Sequence, residues 1–300
     1  MACAIIEELQ KQYGSENATF FAGPGSLPAL KLANAFGSAE LLVYGAHIMS
    51  YQPAGQVPVL WMSEKSMFTA GEPVRGGVPV CWPWFGPDPN GKFGGHGYAR
   101  VSMWHVASVS QTPAGETSVT LTLTESDVEA KFAPQPFKLE LTVTLGSALV
   151  IALKVYNTGT EDLTYSGALH SYFNVADSAA IKVEGLAGCD YLDKVLNCDG
   201  VQENDVVIDR EIDRVYCRTS GICRVNDPVF GRVIKIAKAG STSTVVWNPW
   251  IEKSKRMPDF GDEEYHTMVC VEAANVPAAG DERTLVPGAI GELRQMISVE

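Results

Sequence analysis

The sequence predicts an all-β chain: one large antiparallel β-sandwich carrying a short N-terminal helix. Three observations support this. Apolar residues recur with a period of two through much of the chain, as in Phe137, Leu139, Leu141, Val143 and Leu145. The alternating segments are short and separated by Gly, Asn or Asp. Sustained helical periodicity is confined to the first dozen or so residues. Many short half-buried strands bury their apolar faces by stacking sheet on sheet. No repeat, low-complexity tract or charged linker divides the 300 residues, so a single domain is expected over 1–300, with 1–15 as a helical extension.

Taken in order, Ile5, Ile6, Leu9 and Tyr13 fall on one side of a helix over 4–13, and Gly14 stops it. Leu41, Val43, His47, Met49 and Tyr51 alternate around Gly45. Val119, Leu121 and Leu123 alternate with threonines. Residues 137–145 and 149–155 alternate on either side of Gly146-Ser147 and predict a hairpin ended by Asn157-Thr158-Gly159. Shorter strands are expected around 181–184, 206–208, 214–217, 232–237 and 244–247. A weak helical pattern occupies 251–258, where Pro258 ends it.

Composition narrows the function classes. A hydrophobic content of 46% supports a sizeable core. The net charge of −12 repels a phosphate backbone, so nucleic acid is not an expected partner. A phosphorylated small ligand would need a local cationic pocket against that field. The seven cysteines are odd in number, irregularly spaced and without a C-x-x-C pair, which points to reduced thiols rather than a disulfide or zinc framework. The N-terminus lacks a basic stretch before an apolar run, and no window holds the ~18 apolar residues of a membrane span. A cytoplasmic monomer acting on a small molecule, without a membrane partner, is the expectation.

The segment Gly71 to Arg100, GEPVRGGVPVCWPWFGPDPNGKFGGHGYAR, concentrates eight glycines and five prolines, which impose fixed turns. Trp82, Trp84, Phe85, Phe93 and Tyr98 supply flat apolar surface, and Arg75, His96 and Arg100 supply polar tips. A rigid loop of this kind suits a small, polar, anionic ligand; a structural loop with solvated arginines is the alternative. His170, in SGALHSYFNVAD, is either a hydrogen-bonded core histidine or a general acid–base. Glu272, in HTMVCVEAANV, interrupts an uncharged strand, where an unpaired carboxylate costs several kcal/mol. It is either half of a buried pair or a base whose affinity for protons is raised by desolvation. Asp213 stands between Arg210 and Arg214, and taken alone a surface ion pair with them is the simpler account. Trp247-Asn248-Pro249-Trp250 is a rigid aromatic turn that could stack on a sugar or simply pack in the core. His47, His105 and His266 sit in no pattern. A dinucleotide fingerprint, a P-loop, a G-x-S-x-G elbow and a metal-binding motif are all missing, so neither a metal nor another cofactor is expected.

Taken together, RGGVPVCWPWFG, HGYAR, ALHSYF, EIDRVY, VVWNPW and MVCVEAAN, in this order, resemble the glucose-6-phosphate 1-epimerases of the aldose 1-epimerase superfamily. The resemblance spans roughly residues 30–295. It implies a galactose mutarotase-like supersandwich, no metal cofactor and a hexose 6-phosphate as substrate. Residue by residue, it implies His170 and Glu272 as the catalytic pair. Arg75 and Arg100 are implied as ligands of phosphate and sugar, and Asp213 and His96 as ligands of sugar. Gly95 replaces a glutamine found in some members just before the H-G of HGYAR. The acid–base chemistry this implies has Glu272 as base at O1 and protonated His170 as acid at the ring oxygen. Mutarotation of unphosphorylated aldoses, or sugar binding without turnover, are the rival readings.

Overall fold

The computed structural model describes residues 2–300. Two antiparallel sheets share one apolar core. The first has nine strands: Val206–Val207, Lys182–Glu184, Cys223–Asp227, Arg232–Ala239, Ile290–Val299, Leu149–Asn157, Phe137–Leu145, Thr117–Thr124 and His105–Gln111, in that spatial order. Its middle follows the alternation seen in the sequence. Strands 117–124 and 137–145 bury every second residue. On their outer face, threonine and serine hydroxyls pair across the strands, Ser118 with Thr144 at 2.8 Å and Thr120 with Thr142 at 3.0 Å.

The second sheet runs Cys198–Val201, Asp190–Asp193, Ile212–Tyr216, Ser243–Asn248, Met268–Asn275, Gly167–Leu169 and Val80–Cys81, and Tyr172–Asn174 also pairs with Met268–Asn275. Every residue of Met268–Asn275 is buried. One of its faces, with Val269, Val271 and Ala273, joins the main core. The other face carries Met268 and Cys270 into a second cluster with Trp61, Tyr172, Trp247, Phe260 and Tyr265. A four-stranded meander, Ala18–Ala22, Pro28–Asn34, Gly37–Leu42 and Ile48–Pro53, adds Leu30, Leu32 and Leu41 to the main core.

The helix is Ala2–Tyr13, and the Gly14 N–H closes it on the Gln10 carbonyl at 2.9 Å. Ile6, Leu9 and Tyr13 pack on the core, whereas Ile5, expected on the same side, is exposed. The helical pattern at 251–258 shortens to Trp250–Ser254, where the single proton of the Ser254 hydroxyl has the carbonyls of Trp250, Ile251 and Asp262 as alternative acceptors. Strand Ile290–Val299, central to the nine-stranded sheet, was not foreseen, nor were Ala18–Ala22, Pro28–Asn34 and His105–Gln111.

The Gly71 to Arg100 segment is built into the second sheet. Its carbonyls accept where a neighbouring strand would: His170 N–H donates to Pro79 O at 3.1 Å, Tyr172 N–H to Gly77 O at 2.9 Å and Ser166 N–H to Pro83 O at 2.9 Å. Its aromatic side chains also pack on one another and on the core, while Phe85 and Phe93 line a cleft. Trp82 is buried among Tyr98, Phe137 and Tyr165, and Trp84 packs on Phe93, Tyr98 and Phe132. Two glycines permit this close fit. Gly77 (φ 57°) and Gly97 (φ 71°) lie in the left-handed region, and a Cβ on either would stand 2.0 Å from a backbone oxygen, that of Ile48 or of Trp82.

Gly97→Ala is expected to destabilise the fold by more than the roughly 1–2 kcal/mol of a left-handed alanine alone, because the backbone of Trp82 cannot yield cheaply. Equilibrium urea unfolding checks this; a loss of less than about 0.5 kcal/mol would show that the loop yields freely.

Candidate active site

The chemistry-bearing residues come together through strand register. Leu169 pairs with Ala273 and Tyr172 with Cys270, and the same register carried across the gap sets His170 opposite Glu272. The ladder is interrupted there. Ser171 N–H turns back to Leu169 O at 3.0 Å, a tight turn centred on His170. Ser171 points to the far side, where its hydroxyl donates to Gln295 Oε1 and the Gln295 amide donates to Val271 O at 3.2 Å. The kink thus leaves the Val271 carbonyl satisfied from the opposite sheet.

Directly paired residues share a face. Glu272 pairs with Val245 and Val245 with Val215. The adjacent row on that face runs Tyr172, Cys270, Trp247 and Asp213. The face opens on a cleft of about 660 Å³. Arg75, His96, His170, Asp213 and Glu272 line it, joined by Lys194, Lys253, Phe85 and Trp247.

His170 and Glu272 form its floor. His170 Nδ1 and Glu272 Oε1 are 3.4 Å apart but not aligned as a hydrogen bond. Glu272 is 1% exposed and its Oε2 has no partner. The imidazole stacks on Tyr172, with 4.8 Å between centroids and 8° between planes, and stands edge-on to His96 at 5.5 Å. Burial pushes the Glu272 carboxyl well above the usual carboxylate range; Lys194 opposes this and Asp213 adds to it. Burial likewise holds His170 well below its ordinary value, with His96, Arg75 and Arg100 acting in the same direction. Both shifts disfavour charge on the pair. The same desolvation works against the protonated His170 expected as the acid, because two desolvated charges are costly to hold side by side.

The remaining candidates divide. Arg75 lines the cleft but is anchored: it forms an ion pair with Asp259 at 3.0 Å, and its Nη1 donates to Tyr172 Oη at 2.9 Å. His96 adopts a left-handed backbone (φ 66°) and accepts the Gly86 N–H on Nδ1 at 3.3 Å. Burial, then Arg100, keeps this ring well below its ordinary value, so it is neutral and its proton resides on Nε2. Arg100 is not among the residues lining the cleft. It lies behind the loop and donates to the Gly95 carbonyl at 2.7 Å, so its position is that of a brace. Asp213 pairs with neither neighbouring arginine. Arg214 leaves the opposite face of the strand and binds Asp193 at 2.9 Å, while Asp213 faces Lys194 at 3.7 Å and Lys253 at 3.9 Å. Asn248 is committed to structure: its amide donates to the Tyr265 and Met268 carbonyls, and its Oδ1 accepts the Trp250 N–H.

The aldose 1-epimerase profile matches residues 28–297. The chain belongs to the aldose 1-epimerase family. Among curated relatives of this family, a protein of Escherichia coli K12 provisionally named glucose-6-phosphate 1-epimerase is 36% identical over 242 residues, 79% of each chain. A Salmonella typhimurium protein provisionally named a mutarotase, YeaD, superposes with a TM-score of 0.88 over 98% of this chain and 99% of its own, at 28% identity. A galactose mutarotase-like protein of Clostridium acetobutylicum shares the fold, with a TM-score of 0.76, 16% identity and coverage of 94% and 98%. The architecture of this epimerase is thus the mutarotase-like sandwich expected from the motifs.

Sequence reasoning missed Lys194, Lys253 and Asp259. Lys194 sits over the Phe85 ring at 5.3 Å and Lys253 over Trp247 at 5.8 Å. Lone lysines in loops and short helices read as solvated charges, and only the three-dimensional contact with an aromatic wall marks these two. Among the described residues, no helix is long and apolar enough to cross a membrane.

The raised Glu272 gives a linkage prediction. A group that binds protons more tightly folded than unfolded loses its stabilising contribution as pH rises from the unfolded to the folded pKa. Wild type carries that loss and Glu272→Gln does not. The variant's Tm should therefore gain on wild type as pH is raised from about 4 towards 8, in scans by circular dichroism. A gap that shrinks with rising pH would mean the carboxyl is stabilised as an anion.

Proposed function

We propose that this epimerase interconverts the α and β anomers of a hexose 6-phosphate by acid–base opening and closure of the ring. The observation that carries the reading is the buried pair His170 and Glu272, 3.4 Å apart at the floor of the cleft, with Nδ1 and Oε2 unpartnered. In the ring-opening direction, ionised Glu272 takes the proton of the O1 hydroxyl while protonated His170 delivers one to the ring oxygen O5. The C1–O5 bond breaks and C1–O1 becomes a carbonyl. After rotation about C1–C2 the flow reverses and the ring closes on the other face of C1.

The pair carries one proton throughout. Burial, which raises the Glu272 carboxyl and lowers His170, favours that proton on Glu272. This is the state that complements the open-chain aldehyde: a carboxylic acid donates to the carbonyl O1, and a neutral imidazole accepts from the freed O5 hydroxyl. A site that favours the high-energy species over the closed ring accelerates the interconversion. His96, with its proton on Nε2, donates to a sugar oxygen, and Asp213 accepts from sugar hydroxyls. Trp247 and Phe85 offer apolar faces to the ring's C–H groups.

For the 6-phosphate we assign Arg75 and Lys194. Arg75 is pre-oriented by Asp259 and Tyr172. Lys194 is 40% exposed and its carboxylate partner is no nearer than 3.7 Å, so its ammonium is available. Arg100, braced on Gly95, supports the loop rather than the phosphate. The provisional name shared by curated relatives favours a phosphorylated substrate over a free aldose.

His170→Asn and Glu272→Gln should each lower anomerisation of glucose 6-phosphate about 10²–10⁴-fold, measured by NMR exchange or polarimetry. Near-normal rates in either variant would remove that residue from the mechanism. Lys194→Ala should raise KM for glucose 6-phosphate roughly tenfold with little change for free glucose, the size of one lost charge-assisted hydrogen bond. An equal effect on both sugars would take Lys194 off the phosphate.

A further inference from the structure

Cys270 has no part in the proton transfers proposed above, yet it belongs to the same constellation. It precedes Glu272 by two residues on one strand, so both side chains leave the same face. Its backbone pairs with Tyr172, two residues from His170. One ligating atom each from His170, Cys270 and Glu272 lies within 4.8 Å of the other two. All three residues are buried, and neither His170 Nδ1 nor Glu272 Oε2 has a hydrogen-bond partner. The geometry points to a binding site for a borderline-soft divalent cation, Zn²⁺ or its surrogate Co²⁺, held by His170, Cys270 and Glu272 on the floor of the cleft.

Distances and charge both suit such an ion. Nitrogen, oxygen and sulfur ligands about 2.0–2.3 Å from a tetrahedral zinc stand about 3.3–3.6 Å from one another. His170 Nδ1 and Glu272 Oε1 are already 3.4 Å apart, and the Cys270 sulfur, within 4.8 Å of a ligating atom of each, must draw closer on binding. One thiolate, one carboxylate and a neutral imidazole sum to zero charge with a divalent ion. A neutral assembly is what a largely buried site tolerates. Calcium and magnesium need six or more oxygen ligands, and a single carboxylate beside sulfur and nitrogen cannot supply them. Three ligands leave a fourth position towards the cleft.

Two of these ligands are the groups that move protons, so a bound ion ties up their lone pairs and the site is inhibitory. The inhibition rests on the catalytic reading of His170 and Glu272; the binding rests on geometry alone. The two are separated by titrating chelator-treated protein with Co²⁺ while anomerisation of glucose 6-phosphate is followed in parallel. Wild type should develop a thiolate-to-cobalt charge-transfer band and tetrahedral d–d bands at one equivalent, and Zn²⁺ should displace them. Cys270→Ser should keep basal anomerisation, lose the charge-transfer band and weaken Zn²⁺ inhibition about tenfold or more. Absence of the band in wild type, or its persistence in Cys270→Ser, overturns the site. A band without loss of activity leaves the metal site standing and removes His170 and Glu272 from catalysis.

Discussion

A single carboxylate in a strand buried on both faces is the constraint on which the rest of this structure depends. Glu272 has apolar sandwich behind it and Trp247, Cys270 and Tyr172 beside it. Water cannot solvate its charge, so the neighbouring elements are arranged to make the group tolerable without neutralising it by a fixed cation. The facing strand kinks at His170, which brings an imidazole to Glu272 in place of a ladder hydrogen bond. The Gly71 to Arg100 loop supplies backbone acceptors on the outer side of that kink. Ser171 and Gln295 satisfy the inner side. Lys194 is the cation that opposes the burial effect, and it acts from the rim of the cleft.

The same desolvation that raises the Glu272 carboxyl lowers His170, so both shifts disfavour charge on the floor. Cationic groups stand at the rim, where water and carboxylates temper them, while burial disfavours charge on the floor. Such a layering lets an anionic ligand be drawn to the rim without meeting a fixed charge at the floor.

Much of this was legible from residues. The alternation at 137–155 marks strands because each apolar residue there faces the core. Glu272 stood out because nothing else in HTMVCVEAANV carries charge. The central strand Ile290–Val299 escaped notice for a physical reason: one of its core-facing positions is Gln295, fully buried because Ser171 and Val271 need its amide. The residue that hid the strand is the one that serves the site. Asp213 misled in the opposite way. Arg214 adjoins it in sequence but leaves the other face of the strand, and chain proximity on a strand is not side-chain proximity. Arg100 carried the right charge in the right motif, yet only coordinates reveal that its guanidinium is turned to the Gly95 carbonyl.

The Ser171–Gln295 contact crosses from the kinked strand to the centre of the other sheet. It makes the sandwich and the His170–Glu272 floor one mechanical unit. Heat that parts the two sheets also releases the Val271 carbonyl and with it the kink that holds His170 against Glu272. Thermal inactivation and global unfolding then become the same event, and turnover itself reports on the integrity of the whole sandwich.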